Sequence, residues 1–412
     1  MNLTPWPLGT LALLGYAALL TWKARGAFAY IRDEGRPIGA ESPPVEPYEL
    51  TILQPILSGD PTLEATLAAN LAAREVGTTF AWLVDDDDVE GQRIARKLQG
   101  PGVSVVSYPA AEPGVNPKTA KLERAFADVS TEFVAVLDDD TTVGADHLRW
   151  AVQTLRRTSC EEGIYTGLPT YCTNRDPLSP GDRASRGGRI GAALIAAFVN
   201  SSSALTYLPA AHSAPPITLN GMFYVTRSSV LRSIGGFAAI RAELCDDLAL
   251  AQLYQRADRP IHQGSMAQLL STGGMGLASY AKRMHRWFVF AKVLVGRASR
   301  RQRIQLGIKL GAPPMLLWVG VLCAIFSWPV ALLLATVLGA RHAVLLTLLR
   351  ATREPRAGAG PSARLHPVGS PLSELLLPFH ALHAALRPTI QWRTRRMRVR
   401  RDGSFASLPE KP

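Results

Sequence analysis

Two short apolar runs that end abruptly in acid, FAWLVDDDD at residues 80–88 and FVAVLDDDTT at residues 133–142, restrict what this chain can fold into. Runs this short and this uniformly apolar read as strands buried on both faces, the pattern of a parallel sheet covered by helices. In an open α/β sheet, ligands bind beyond the carboxyl ends of the strands. The clusters Asp85 to Asp88 and Asp138 to Asp140 are therefore expected to converge on one crevice.

The neighbouring segments support that sheet. LTILQPILSG reads as a strand closed by the turn Gly59-Asp60-Pro61, and LEATLAANLAAREV has helical apolar spacing. A helix over 91–98, a strand over 103–108, the loop Gly114-Val-Asn116-Pro117-Lys118 and a helix over 119–127 follow. Strand and helix alternating in this way predict a parallel α/β sheet. Residues 166–221 are punctuated by Pro, Gly and Ser, with an apolar segment at 190–199, and TLNGMFYVTR reads as a strand or hairpin. A later helix carries Asp246 and Asp247 in its first turn, where the helix dipole by itself favours carboxylates.

The remaining segments point to a membrane. Residues 3–22 carry no charge over about the twenty residues a span requires, and no small-residue cleavage site follows, so a retained anchor is expected. Lys23 and Arg25 come directly after it, which places the downstream region in the cytoplasm, with a bacterial inner membrane as the expected location. Residues 280–308 mix aromatic and basic side chains as an amphipathic interfacial helix does. Residues 310–348 are uncharged apart from Arg341 and His342, and Pro329 divides them into a hairpin of two spans. A basic Gly/Pro/Ser-rich loop over 351–370 follows, then an interfacial or re-entrant helix over 371–386 and a basic tail after Arg387.

Net charge is +12, but the excess sits at 297–303, 350–356 and 393–401, beside apolar segments. Attraction to anionic lipid headgroups explains that placement, and no nucleic-acid-binding motif is present to support the other reading. Cys160, Cys172, Cys245 and Cys323 form no CxxC pair, which argues against a metal-thiolate site or a disulfide framework and suits a reducing compartment.

These residue types suit transfer from a nucleotide sugar. A departing diphosphate must be neutralised, and a hard Mg²⁺ or Mn²⁺ ion on Asp138 and Asp140 does so as a Lewis acid. A solvated loop or a calcium site would carry the same aspartates. Asp87, Asp88 and Asp138 are candidates for holding the nucleotide, and Lys118 for reaching a phosphate. Asp247 is the candidate general base, taking the acceptor hydroxyl proton as the oxygen attacks the sugar carbon opposite the diphosphate. Arg283 and Arg286, with Asp246 nearby, offer contacts to diphosphate or acceptor, and Trp287 gives a flat surface for sugar or lipid. A plain membrane-surface helix would also be rich in Arg and Trp.

In this order the motifs resemble the ceramide glucosyltransferase family, glycosyltransferase family 21, and its relatives in family 2, including the hopanoid-associated glycosyltransferases. The resemblance rests on Asp88, Asn116-Pro117-Lys118, Asp138, Asp140 and Asp247, with Arg283, Arg286 and Trp287 matching the (Q/R)xxRW pattern. Flanking similarity lies in Gln54 to Pro61, Gly167-Leu168-Pro169, Asn220-Gly221-Met222, Gly235-Gly236 and Trp392-Arg393-Thr-Arg-Arg396. It covers residues 50–290 well and the tail loosely. Gln54 stands where many relatives carry Lys, and TAKL follows the NPK loop in place of N-N-L.

The resemblance implies an α/β GT-A domain, a UDP-sugar donor such as UDP-glucose, a divalent cation, inversion at the anomeric carbon and a lipid acceptor such as ceramide. The expected division is an anchor at 1–25, a cytosolic GT-A domain at 48–280, an interfacial helix at 281–310, a transmembrane hairpin at 311–350 and a basic cytosolic region at 351–412. A processive polysaccharide synthase shares RxxRW, but one span before the domain and one hairpin after it are too few for a translocation channel. A non-catalytic scaffold of the same fold has no use for three acidic stations with both arginines.

Overall fold

A computed structural model describes residues 5–35, 46–112, 114–157, 159–172, 186–271, 275–352, 365–392, 395–400 and 403–408. Most of the 351–370 loop, most of the 41–48 linker, and Arg393 with Thr394 lie outside the described residues.

Eight strands form the main sheet: β1 (Leu50–Pro55), β2 (Thr78–Asp85), β3 (Val103–Tyr108), β4 (Phe133–Leu137), β5 (Thr141–Thr142), β6 (Ile164–Cys172), β7 (Phe223–Arg227) and β8 (Ile261–Ser271). Their order is β3-β2-β1-β4-β7-β6-β8-β5. The first four neighbours run parallel, as the alternation of apolar runs and helices predicts. TLNGMFYVTR supplies one strand and no hairpin: β7 inserts antiparallel between β4 and β6, with Leu137 opposite Phe223. The sheet is thus mixed α/β, and β6 and β8 resume parallel pairing beyond it.

Burial on both faces is visible in adjacent residues. Ile52 and Phe133 enter one core with Trp82, while Leu53 and Val134 enter the core on the opposite face with Leu83. Each such side chain contributes about 1.5–3 kcal/mol by leaving water, which is why these strands show no polar alternation.

The helices are α1 (Pro5–Glu34), α2 (Leu63–Ala72), α3 (Val89–Leu98), α4 (Pro117–Ala127), α5 (Ala145–Arg156), α6 (Arg186–Ser213) and α7 (Ser228–Ser233). The second half contributes α8 (Asp246–Arg256), α9 (Leu277–Arg297), α10 (Arg300–Leu306), α11 (Ala312–Phe326), α12 (Trp328–Ala351), α13 (Gly369–Leu375) and α14 (Leu377–Leu386). Three stretches among the described residues are long and apolar enough to cross a membrane: Ile190–Ser213, Arg300–Phe326 and Trp328–Ala351.

Where the transmembrane hairpin is expected, α11 and α12 are separated at the extended Ser327, with Pro329 in the first turn of α12, where a missing N–H costs nothing. The first of the three stretches, in α6, goes well beyond the apolar segment noted at 190–199. The N-terminal α1 is not among them, because Pro5, Pro7, Gly9 and Thr10 dilute its apolar run. It packs against α6, α11 and α12 nonetheless. A Cβ on Gly320 would meet Leu13 at 2.4 Å and one on Gly26 would meet Pro209 at 2.9 Å, so small residues set these close approaches.

The apolar interior of α12 contains Arg341, whose side chain is buried. It pairs with Glu374 at 3.0 Å, and Tyr16 donates to the same carboxylate oxygen at 2.9 Å. A charge this deep persists only with such partners.

Two readings of the later chain are refined by the structure. The 280–308 segment is two helices: α9 ends at Arg297, and Ser299 with Gln302 forms a capping box that starts α10. The 371–386 segment is likewise two short helices, α13 packed on α6 and α14 on α9. The basic tail folds into a three-stranded antiparallel sheet that the sequence reading did not anticipate: β9 (Thr389–Trp392), β10 (Arg395–Val399) and β11 (Phe405–Leu408). Its Ile390, Met397 and Val399 bury against Val289 and Val293 of α9. The alternation of Met397 and Val399 with Arg396 and Arg398 carried the period-two signal of a half-buried strand.

Candidate active site

The carboxyl ends of β1, β2 and β4, the start of α8 and one face of α9 surround a single cavity of about 1870 Å³ that continues between α1, α6 and α11. Asp87, Lys118, Asp138, Asp140, Asp246, Asp247, Arg283, Arg286 and Trp287 all line it, so stations far apart in sequence do meet.

Lys118 joins two of them. Its position follows from α4, where Asn116 caps the helix by accepting from the backbone N–H of Lys118 at 3.0 Å and Pro117 takes the first turn. The Lys118 ammonium then lies 2.7 Å from Asp138 at the end of β4 and 3.2 Å from Asp246 at the start of α8. Burial works against its charge, yet Asp138 and Asp246 hold its pKa well above the ordinary lysine value. On its other side, the Asn116 amide donates to the carbonyls of Glu243 and Leu244 at 3.0 and 3.3 Å, fixing the approach to α8.

The three adjacent aspartates divide their tasks. Asp139 is buried and accepts from the Leu57 N–H at 2.8 Å, tying β4 to the loop after β1. Asp138 is positioned through its backbone, since its N–H donates to the Met222 carbonyl at 2.8 Å and Gln54 donates to its own carbonyl at 3.3 Å. Burial pushes the Asp138 carboxyl above its usual range; Lys118 pulls the other way, and the charges of Asp140 and Asp246 push it up further. Carboxylates that repel one another across a cavity provide the hard oxygen donors a divalent cation takes. Among the described residues no group of three or more His, Cys, Asp and Glu side chains is preassembled for a metal. Asp138 and Asp140 nevertheless fit a cation that draws its remaining ligands from a diphosphate and water, as Mg²⁺ commonly does.

Asp247 sits one residue into α8. Its Oδ1 accepts from the Leu248 N–H at 2.7 Å and from the Cys245 thiol at 3.2 Å. Burial first and the Asp246 charge second raise its pKa to about 6, despite those hydrogen bonds. That value keeps it ionised at neutral pH yet basic enough to accept a proton.

Opposite the acids, Arg283 donates to the Tyr171 hydroxyl at 3.0 Å. Burial and the neighbouring Arg283 charge lower the pKa of Arg286, so the two guanidiniums form a desolvated positive wall. The Trp287 ring is held between Tyr171, at 6.4 Å between ring centres, and Phe198, at 6.1 Å.

The first acidic cluster is where the geometry departs from the sequence reading. Asp85 and Asp87 line the cavity, but Asp88 is spent on structure, accepting from the N–H of Gly91 at 3.0 Å as the cap of α3 and from the N–H of Ser58 at 2.7 Å. Burial opposes its ionisation, but the bonds from Ser58 and Gly91 hold its carboxyl below the usual range. Asp88→Ala is therefore expected to cost about 1–2 kcal/mol of stability in a thermal melt, the scale of a lost cap, with donor affinity close to wild type.

Lys121 was missed. It is buried, pairs with Asp85 at 3.0 Å and donates to the Ile56 carbonyl at 3.2 Å, bracing the carboxyl ends of β1 and β2 against α4. Its place one turn after Lys118 on a helix was the available signal.

The family model described as Glycosyl transferase family 21 matches residues 8–405. No curated protein matches the chain. Among solved structures, a mannosyltransferase from Pyrobaculum calidifontis in complex with GDP-Man and Mn²⁺ is similar over 91% of this chain and 99% of its own, at 14% identity and a TM-score of 0.50. Glucosyl-3-phosphoglycerate synthase from Mycobacterium tuberculosis, in complex with Mn²⁺, UDP and phosphoglyceric acid, covers 54% of this chain and 69% of its own at 17% identity and a TM-score of 0.33. The first of these likenesses supports a GT-A-like fold.

Proposed function

Because the chain belongs to glycosyl transferase family 21, we propose that it is an inverting hexosyltransferase moving a sugar, glucose first among the candidates, from a UDP-sugar to the hydroxyl of a membrane lipid such as ceramide. The observation that carries this reading is the Lys118 ammonium bridging Asp138 and Asp246, which draws the donor end of the sheet and the base-bearing helix into one cavity. That cavity runs from the acids to Tyr16, Leu205 and Met315 between long apolar helices, a route suited to an acceptor with hydrocarbon chains.

In this mechanism Asp85 and Asp87 line the nucleotide end, and Asp138 with Asp140 would hold a divalent cation. When bound, Mg²⁺ or Mn²⁺ supplies Lewis-acid neutralisation of the diphosphate. Arg283 and Arg286 present fork-shaped donors suited to phosphate oxygens from the opposite wall. Trp287 orients the sugar or the first part of the acceptor. Asp247 takes the proton of the acceptor hydroxyl as its oxygen bonds to the anomeric carbon and the bond to the diphosphate breaks. No covalent nucleophile is required, so the configuration inverts.

We infer a cytoplasmic side of a bacterial inner membrane for the catalytic domain, a reading supported by Lys23 and Arg25 directly after the first apolar run. Purified protein in lipid, given a panel of radiolabelled UDP-sugars with Mn²⁺, is expected to place label in the organic extract. Label in long water-soluble polymer would favour a polysaccharide synthase, and no label from any donor would overturn the transferase reading of this site.

A further inference from the structure

The C-terminal sheet contacts the segment that carries Asp247 in two places. Ile390, Met397 and Val399 of that sheet share one apolar cluster with Leu244, Cys245 and Leu248, the residues on either side of the acid pair, and with Val289 and Val293 of α9. The turn between β10 and β11 also abuts an ion pair: a Cβ on Gly403, whose φ is +86°, would meet Arg297 Nη2 at 2.3 Å and Glu243 Oε2 at 3.2 Å. Arg297 itself holds Glu243 at 2.7 Å. The approach to α8 is thus gripped by Asn116 from the donor side and by the tail from the other.

Inside that grip the thiol of Cys245 donates to Oδ1 of Asp247, the oxygen that the Leu248 N–H also occupies. Oδ2 lies beside Gly221, where a Cβ would stand in ordinary contact with it at 3.6 Å but would crowd the Asp247 Cβ at 2.9 Å, so the glycine lets the acid's side chain pack against this backbone. The carboxylate is oriented by its first oxygen so that the second is left for the proton.

We propose that the C-terminal three-stranded sheet is a positioning element for the base, acting through Cys245 and Leu248 to fix which oxygen of Asp247 faces the acceptor. The inference rests on Asp247 being the base. Among the described residues the tail reaches the cavity only through Gln391 and Met397, and it carries none of the residues assigned to the donor, so its effect is expected on turnover and not on donor affinity. The charged and titratable groups acting on Asp247 are Asp246 and Cys245 at the same helix start, Lys118 from α4 and Tyr207 from α6. Removing the thiol deletes a hydrogen bond to the ionised form, which shifts its protonation to higher pH.

The test compares Cys245→Ala, Cys245→Ser and Met397→Ala in the full chain, measuring UDP affinity by calorimetry and kcat across pH. Cys245→Ala and Met397→Ala are expected to lower kcat about tenfold with UDP affinity within about twofold of wild type, and to move the acid limb of the profile upward. Cys245→Ser restores a donor and should return the limb towards wild type, which a general packing defect would not do. Should Met397→Ala fail to fold, Val399→Ala, a smaller loss from the same sheet and the same apolar cluster, takes its place with the same expected outcome. Wild-type kcat and an unmoved limb in Cys245→Ala would overturn the proposal while leaving Asp247 as base. Full activity in Asp247→Asn would remove the base itself.

Discussion

Asp247→Asn is expected to reduce transfer by about 10²–10⁴-fold while UDP binding stays near wild type, because the amide keeps the shape of the carboxylate and cannot take a proton. In the wild-type enzyme the same group is expected to set the acid limb. Its pKa is raised to about 6, so the ionised, competent fraction is nearly complete at pH 8 and falls about tenfold per unit below pH 6. The stability effect has its own sign. A carboxyl whose folded pKa is raised favours the folded state while protonated, and that contribution is present below its unfolded pKa and lost as pH rises through about 6. Asp247→Asn is therefore expected to melt at or above the wild-type temperature at pH 8, and activity would have been lost without loss of fold. Full transfer by this variant would dismiss Asp247 as the base.

The second large effect concerns the cation. Asp138→Ala and Asp140→Ala are each expected to abolish the Mn²⁺-dependent part of UDP binding and to lower transfer at least about a hundredfold, since each removes one of the two carboxylates proposed to hold the ion. The two need not be equal. Asp138→Ala also strips Lys118 of its 2.7 Å partner and leaves that ammonium to Asp246 and the Gly221 carbonyl, so it should disturb the start of α8 as well. Asp140→Ala leaves the Lys118 bridge standing and isolates the metal role. UDP affinity that rises with Mn²⁺ equally in wild type and Asp140→Ala would contradict that assignment.

The strands that carry this chemistry were legible because hydrophobic burial writes itself into short, uninterrupted runs. FVAVL can only be a two-face-buried strand, and the acid that follows it must sit at the sheet's edge. The (Q/R)xxRW stretch and the acid pair at the start of α8 were likewise readable, the latter because a helix N-terminus welcomes carboxylates for its own reasons. What the sequence left open were partnerships set by tertiary approach. Nothing in four consecutive aspartates says that Asp88 turns back to cap α3 while Asp85 and Asp87 face the cavity. That division depends on Ser58 and Gly91 being nearby. The tail sheet was obscured because its arginines read as a lipid-facing charge run, and the half-buried alternation of Met397 and Val399 was overlooked beside them. The α6 stretch was obscured for the opposite reason: its run of three serines, Ser201 to Ser203, interrupts an apolar pattern whose polar face turns to the cavity and not to lipid.

The configuration of the glycosidic bond in the lipid product, read from the anomeric proton by NMR, bears most directly on how the cavity works. UDP-glucose carries its sugar in the α configuration, so a single displacement with Asp247 as base and the diphosphate leaving from the opposite face yields a β-linked glycolipid. An α-linked product would contradict single displacement and, with it, the roles assigned to Asp247 and to the basic wall facing it.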